Sequence, residues 1–404
     1  MAFACLILRN QDEPKIPRLA TTKLLLATQN GWPSCHLQPS ALSILPGELP
    51  VLSPTEFREL VSGRRKGPKA VALRAVLRIA EGPYALAMRY RNRRYTRGKA
   101  TIHTAGVPVI SVGNLTLGGT GKTPLVEWIA HKLREPQIRV AIISRGYGGE
   151  AGGYNDEALE LELALPDVPH VQNPDRVAAA QVAVDELEMQ VLLLDDGFQH
   201  RRLARDLDIV LLDATEPFGF DHVFPRGTLR EPLVGLARAD LMILSRADML
   251  TSDERIQIRN RVAKLAPQTA WCEVEHRVAG LLNSTGQRVS PEMVSGKRVA
   301  AFCGIGNPAG FRHTLGTLGC KIVAWREFPD HHNYTREDVA SLSQWGQQAD
   351  ILVCTRKDLV KLRVPTLGGV PLWAVNIEIG FLTGEEVFGE RLTVIANQVT
   401  QDQT

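Results

Sequence analysis

The sequence predicts an α/β protein: a mainly parallel sheet with helices on both faces, plus a second, smaller α/β domain. Three observations carry this. Short apolar runs recur at 107–112, 139–144, 190–194, 208–212 and 241–244. Helical patterns lie between several of them, as at 174–188, which is the rhythm of parallel strands joined by crossover helices. Each run ends in glycine or polar residues (VGN, SRGYGG, DDGFQH, LDATEPFG, SRAD), and open α/β sheets bind ligands at those carboxyl ends of strands.

The chain has 404 residues, enough for two domains. Its 44% hydrophobic and 23% charged residues suit a globular protein with a real core. No stretch of about 18 consecutive apolar residues exists, so no transmembrane helix is expected. The start, MAFACLILRNQDEPK, lacks a basic leading region and is a poor signal peptide. The 6 cysteines are scattered without a C-x-x-C pair, so they read as reduced packing residues and not as a metal framework.

Residues 1–54 are read as a poorly ordered extension, or as residues before the biological start. Their first 50 are rich in Pro, Ser, Gln and Thr. Residues 55–100 read as a basic, amphipathic, helical segment. Between Arg64 and Lys99 there are twelve Lys/Arg and a single acid, Glu81. Such a segment seeks anions, and aliphatic and aromatic residues among the arginines suit a bilayer surface. A solvated face, or a helix packed on the protein's own sheet, is the plainer alternative. Gly82-Pro83 is expected to interrupt it.

Residues 101–267 form the expected main domain. Val107–Leu125, VPVISVGNLTLGGTGKTPL, reads as a strand, a glycine-rich turn and a helix start. That is the build of a phosphate-binding loop and makes this domain P-loop NTPase-like. Backbone N–H groups of Gly118, Gly119, Thr120 and Gly121 would curl around an anion. Lys122 would reach the β/γ-phosphates, and the Thr123 hydroxyl would bind Mg²⁺. Thr116 stands where the general pattern has its first glycine. Downstream, VLLLDD is an apolar strand running into acids, the pattern that holds Mg²⁺ beside a phosphate loop; Asp195 is the natural ligand and Asp196 its neighbour. A kinase must also orient an acceptor hydroxyl and neutralise moving phosphoryl charge. Candidates by position are Arg145, Tyr147, Asp156, Glu157, Arg176, Arg230 and Glu231. Residues 268–297 lose the strand–helix rhythm and are expected to be a strand-like hinge. The smaller α/β domain follows at 298–392, then a tail at 393–404.

Taken together these segments resemble the tetraacyldisaccharide 4'-kinase family of lipid A biosynthesis. The resembling stretches are VPVISVGNLTLGGTGKTP, VAIISRGYGG, LLLDDGFQHRRLARDLDIVLLDA, FPRGTLREPL, GIGNPAGF and FPDHH, in family order. The family tolerates a non-glycine at Thr116. The resemblance implies ATP- and Mg²⁺-dependent transfer to the 4'-hydroxyl of an acylated glucosamine disaccharide 1-phosphate. It implies a peripheral enzyme on the cytoplasmic face of the inner membrane, meeting an anionic membrane surface through the basic helix. No nucleic acid and no obligate protein partner are expected. Lys122 and Thr123 match the loop lysine and metal-binding hydroxyl. Asp195 and Asp196 match the paired acids, with Gln199 and His200 completing that segment. Asp156 falls at the catalytic acid, although its flanks, Asn155 and Ala158, depart from the family's G-D-E-P. His331 matches the histidine that orients this acid, with His332 adjacent and the register open by one. Arg145, Arg176, Arg230 and Glu231 match polar positions around substrate and phosphate. CTRKDLVK matches a T-E-K-D segment with Arg356 replacing the glutamate. The alternatives are a phosphate-loop kinase of a soluble metabolite and a GTPase-type switch, the latter suggested by Ser245-Arg246-Ala247-Asp248.

Overall fold

The computed structural model describes residues 52, 54–146 and 156–401. Tyr147 and all but a few residues of the expected 1–54 extension lie outside these. Two helices come first, α1 (Pro54–Val61) and α2 (Pro68–Thr96). The first half of the sheet follows as β1 (Val109–Asn114), α3 (Lys122–Arg134), β2 (Val140–Ser144), α4 (Asp156–Ala164), β3 (His170–Gln172), α5 (Arg176–Asp185), β4 (Val191–Asp195), β5 (Leu207–Asp213), β6 (Leu241–Ser245) and α6 (Ser252–Leu265). Then come β7 (Ala270–Leu282), β8 (Arg288–Val289), β9 (Arg298–Cys303), α7 (Pro308–Gly316), β10 (Lys321–Glu327), α8 (Arg336–Trp345), β11 (Ile351–Thr355), α9 (Arg356–Leu362), β12 (Thr366–Leu367), β13 (Val370–Thr383) and α10 (Glu385–Gln401).

The strands join one sheet in the order β10-β9-β11-β13-β7-β6-β5-β1-β4-β2-β3, with β12 on β13 and β8 on β7. Apart from the short strands β8 and β12, which pair antiparallel with β7 and β13, the strands of each half pair in parallel, and the antiparallel pair β7–β13 joins the halves. Residues of β1, β2, β4, β5 and β6 are buried along their whole length, because helices cover both faces. On one face Leu125, Val126 and Ile129 of α3 and Phe388 and Leu392 of α10 pack on Ile110 and Val112. On the other, Leu115, Phe198, Val210 and Leu244 pack with Val262 of α6. In the second half Leu342 of α8 and Leu359 of α9 cover one face, and Phe311 and Leu315 of α7 the other.

Three expectations change in detail. The helix is not interrupted at Gly82-Pro83: α2 runs unbroken for 29 residues with Pro83 inside it. The missing N–H is offset by anchors on both sides of the proline. Glu81 accepts from the Val223 backbone N–H at 2.9 Å, and the Tyr84 hydroxyl donates to the Arg230 carbonyl at 3.0 Å. The region expected as a strand-like hinge is no mere linker: 270–282 is a 13-residue strand built into the sheet between β6 and β13. The expected tail is helical to Gln401, because Phe388, Leu392, Ile395 and Val399 repeat at helical spacing and bury together.

Candidate active site

The phosphate loop spans the gap between β1 and α3, and its shape is over-determined by neighbours. Gly121 has φ 83°, and a Cβ there would sit 2.6 Å from His276 Cε1, so only glycine fits. Asn114, the last residue of β1, donates from Nδ2 to the Thr116 carbonyl at 3.0 Å and to Thr120 Oγ1 at 3.1 Å. Arg246 donates to the Gly119 carbonyl at 3.3 Å while its other nitrogen pairs with Asp213 at 2.6 Å. Thr116 forms an antiparallel bridge with Leu229, which ties the start of the loop to the segment that presents Arg230. Lys122 and Thr123 open α3, whose N-terminal dipole favours an anion.

The paired acids resolve into two roles. Asp196 is taken up by cations: Arg230 Nη1 lies 2.9 and 2.7 Å from its two oxygens, and Lys122 Nζ 3.4 Å away. Burial alone would raise its pKa, but Arg230 and Lys122 outweigh burial and hold it well below the carboxylate range. Asp195 is buried, with an Oδ1 that has no hydrogen-bond partner among the described residues. Burial, and then the charge of Glu157, push its pKa up to about 7 against the pull of Lys122. A buried, unpartnered carboxylate oxygen at a strand end beside a phosphate loop is what a Mg²⁺ ion would satisfy.

Arg176 is buried at the start of α5, and its Nη2 lies 3.5 Å from the Asp196 carbonyl. It feels the charges of Asp195, Asp196, Arg145 and Arg230, so all five groups share one electrostatic neighbourhood. Gln199 Nε2 donates to the Asn114 carbonyl at 2.9 Å. His200 is held neutral, with burial and then Arg176 lowering its pKa to about 3. Glu231, expected at the substrate, is instead fully buried, so it cannot touch one. Its carboxylate carries Arg238 at 2.9 and 3.0 Å and also accepts from Asn92 of α2. It braces the segment that presents Arg230.

The acceptor side is built around Asp156, the first residue of α4. Asp156 receives His331 Nδ1 at 2.9 and 3.0 Å from its two oxygens. His332 points elsewhere, to Asp338 at 2.9 Å, which closes the register left open by the sequence. Lys361 Nζ lies 2.8 Å and Lys357 Nζ 3.6 Å from Asp156 Oδ2. Burial would raise the Asp156 pKa; the His331 hydrogen bond and the two lysines override it and hold the carboxyl far below its ordinary value. His331 is correspondingly raised, chiefly by the Asp156 hydrogen bond. Arg356 is buried between three elements. It pairs with Glu127 of α3, lies 3.3 Å from Glu160 of α4, and donates to Asn376 of β13 at 3.0 Å. Glu157, beside Asp156, acts electrostatically on Asp195 and Arg230, linking the two ends of the site.

The structure brings Lys122, Asp195, Asp196, Arg176 and Arg230 into one cluster, and sets His331 of the second half against Asp156. Sequence reasoning missed Asn114, Arg246, His276, Lys357 and Lys361. The lysines had a signal, since they stand four apart on α9 and face one way.

A family model described as Tetraacyldisaccharide-1-P 4'-kinase matches residues 73–396. A protein named tetraacyldisaccharide 4'-kinase from Anaeromyxobacter dehalogenans is 39% identical over 80% of this chain and 90% of its own length. One of the same name from Geobacter sulfurreducens is 36% identical, over 80% of this chain and 94% of its own. Among solved structures, the apo form of LpxK from Aquifex aeolicus in complex with ATP is similar with a TM-score of 0.64 and 31% identity, covering 80% of this chain and 99% of that one. The site's parts and these likenesses agree, and the chain belongs to the tetraacyldisaccharide-1-P 4'-kinase family.

Proposed function

We propose that this protein transfers the γ-phosphoryl group of ATP to the 4'-hydroxyl of an acylated glucosamine disaccharide 1-phosphate. The observation that carries the reading is the pairing of a braced phosphate loop with a carboxylate, Asp156, gripped by His331 near the same sheet edge. Family membership supplies the substrate class.

Each residue has a chemical task. Lys122 and the N-terminus of α3 bind the β- and γ-phosphates. Asp195 and the Thr123 hydroxyl would hold Mg²⁺, which supplies charge neutralisation at the phosphates. Asp196 keeps Lys122 and Arg230 in place until phosphate takes over their charge. Arg176 and Arg145 add positive charge beside the reacting phosphoryl group. The acceptor oxygen forms its bond to phosphorus as the bond to the β-phosphate oxygen breaks, and its proton passes to the Asp156 carboxylate. In a loose transition state that proton leaves late, so a weak base suffices if it is well placed. His331 supplies that placement.

Attachment to an anionic membrane surface belongs to the same reading. Val76, Ile79, Leu86 and Tyr90 form an exposed stripe on α2, opposite the buried Leu77, Glu81 and Met88. Arginines flank the stripe, and no helix among the described residues is long and apolar enough to cross a membrane. A helix lying in the interface suits a lipid acceptor, on the cytoplasmic face where ATP is available.

The test is incubation with ATP, Mg²⁺ and the acylated disaccharide 1-phosphate, with product mass as readout. Gain of one phosphoryl group at the 4' position supports the reading. Equal turnover with GTP, or transfer only to water, overturns it.

A further inference from the structure

The α9 segment, Arg356–Leu362, packs between the two halves of the sheet, and its side chains diverge to fix both. Its start is locked by a reciprocal cap. Thr355 Oγ1 and Asp358 bond each other's backbone and side chain, and Asp358, fully buried, also accepts from the Gly304 backbone N–H at 3.0 Å and the Tyr334 hydroxyl at 2.9 Å. Arg356 ties the same turn to α3, the helix that carries Lys122, and to α4, the helix that begins with Asp156. With the helix so held, Lys357 and Lys361 project from one face toward Asp156.

The geometry points to Lys357 and Lys361 as positioning residues for the transfer: with His331 they hold the Asp156 carboxylate in one orientation, as an anion. This rests on the reading of Asp156 as the proton acceptor. The groups facing Asp156 are few. Lys361 donates at 2.8 Å and is itself anchored on the His332 carbonyl at 3.1 Å. Lys357 lies 3.6 Å from Asp156, 3.3 Å from Asp330 and 4.0 Å from Glu157. His331 Nδ1 completes the set, and its other ring nitrogen lies 3.4 Å from Lys357 Nζ. Asp330 and Glu157 share Lys357, so Lys361 is the cation most committed to Asp156. A carboxylate with His331 alone could turn about its Cβ–Cγ bond; two donors from two segments, with Lys357 as a second cation beside them, fix the plane and the charge together.

The experiment compares kcat and KM for the acylated disaccharide 1-phosphate near neutral pH in wild type, Lys361→Met, Lys357→Met, Lys361→Arg and Asp156→Asn, with melting curves and binding of a fluorescent ATP analogue alongside. Lys361→Met is expected to lower kcat about tenfold with KM and nucleotide affinity little changed, because the carboxylate is no longer held toward the acceptor. Lys361→Arg should restore most of the wild-type kcat. Lys357→Met should lower kcat by less, because Asp330 and Glu157 share its charge. If Lys361→Met melts far below wild type, Lys357→Met and Lys361→Arg decide the matter. An unchanged kcat in every folded lysine-to-methionine variant overturns the proposal. Wild-type activity in Asp156→Asn overturns the proton-acceptor reading itself, whatever the lysines do.

Discussion

The phosphate loop takes Asn114, Gly121, Lys122 and Thr123 from one continuous stretch, whereas Asp156 meets His331 from a position 175 residues away. The first cluster is set mainly by local chain geometry, a strand, a glycine turn and a helix start, with Arg246 and His276 bracing it from later strands. The second exists only because β7 and β13 bring two half-sheets together and α9 fills the seam. Local order at the nucleotide end makes chemistry there less dependent on how the halves meet. Long-range order at the acceptor end makes proton transfer depend on how the halves meet.

The largest expected effect falls on the local cluster. Lys122→Ala should lower transfer by about 10³-fold or more, since charge developing between the β- and γ-phosphates loses its nearest cation. Steady-state phosphorylation of the acylated disaccharide reads this directly, and near-wild-type turnover would remove this loop as the ATP site. Next comes the long-range cluster. Asp156→Ala should lower kcat by about 10²- to 10⁴-fold with little change in KM for ATP. His331→Ala should also lower kcat. The double variant should lose far less than the product of the single losses, because the two act as one unit. Multiplicative losses would dissolve the pair, and with it the contrast between the two ends.

That contrast also explains what could be read from the sequence. The loop motif and VLLLDD report their own conformation, so the strands around them and the positions of Lys122 at a helix start and Asp195 at a strand end were legible. Asp156 was a candidate by position, but its role and its partner His331 were reached through family resemblance, not spacing. Glu231 was misplaced because FPRGTLREP shows a charged pair without showing which member faces inward; Arg230 reaches Asp196 while Glu231 turns to Arg238. β7 was read as a strand-like hinge and not as a strand of the sheet because AWCEVEHRVAGLL interleaves charged residues with apolar ones along a strand exposed in part. Pro83 misled because helix propensity is local and the contacts at Glu81 and Tyr84 are not.

Arg356 sharpens the comparison at a smaller scale, since it is the charge that joins the two ends. The sequence marked it only as a departure from the T-E-K-D pattern. In the structure it is buried against the buried Glu127 and the partly buried Glu160, and desolvation pushes the Glu160 pKa upward despite the arginine. Arg356→Met would leave these two acids without their cation, at a cost of about 3 kcal/mol or more. Thermal unfolding should show a midpoint lower by about 5 °C or more. Binding of a fluorescent ATP analogue should survive at temperatures where the variant is folded, while transfer falls. A variant that melts like wild type would mean the triad does not hold the halves together.

The smallest effect on chemistry, and the last, concerns α2, which touches the nucleotide end alone. Tyr84 donates to the Arg230 carbonyl at 3.0 Å and Arg91 to the Gln199 carbonyl at 3.2 Å. Its outward stripe makes no such contact: Ile79 is 77% and Leu86 68% exposed. Ile79→Asp with Leu86→Asp removes apolar area that would enter the acyl boundary and adds charge repelled by anionic lipid. Sedimentation with anionic vesicles should fall several-fold, and the remaining binding should weaken further with salt, as expected for the flanking arginines. In mixed detergent micelles, where substrate is presented without a bilayer, kcat should stay close to wild type, because neither residue reaches the phosphate loop or Asp156. If vesicle binding is unchanged, the stripe is not the membrane contact. If micellar kcat falls with it, α2 governs the presentation of Arg230, and the nucleotide end is less self-contained than its local construction implies.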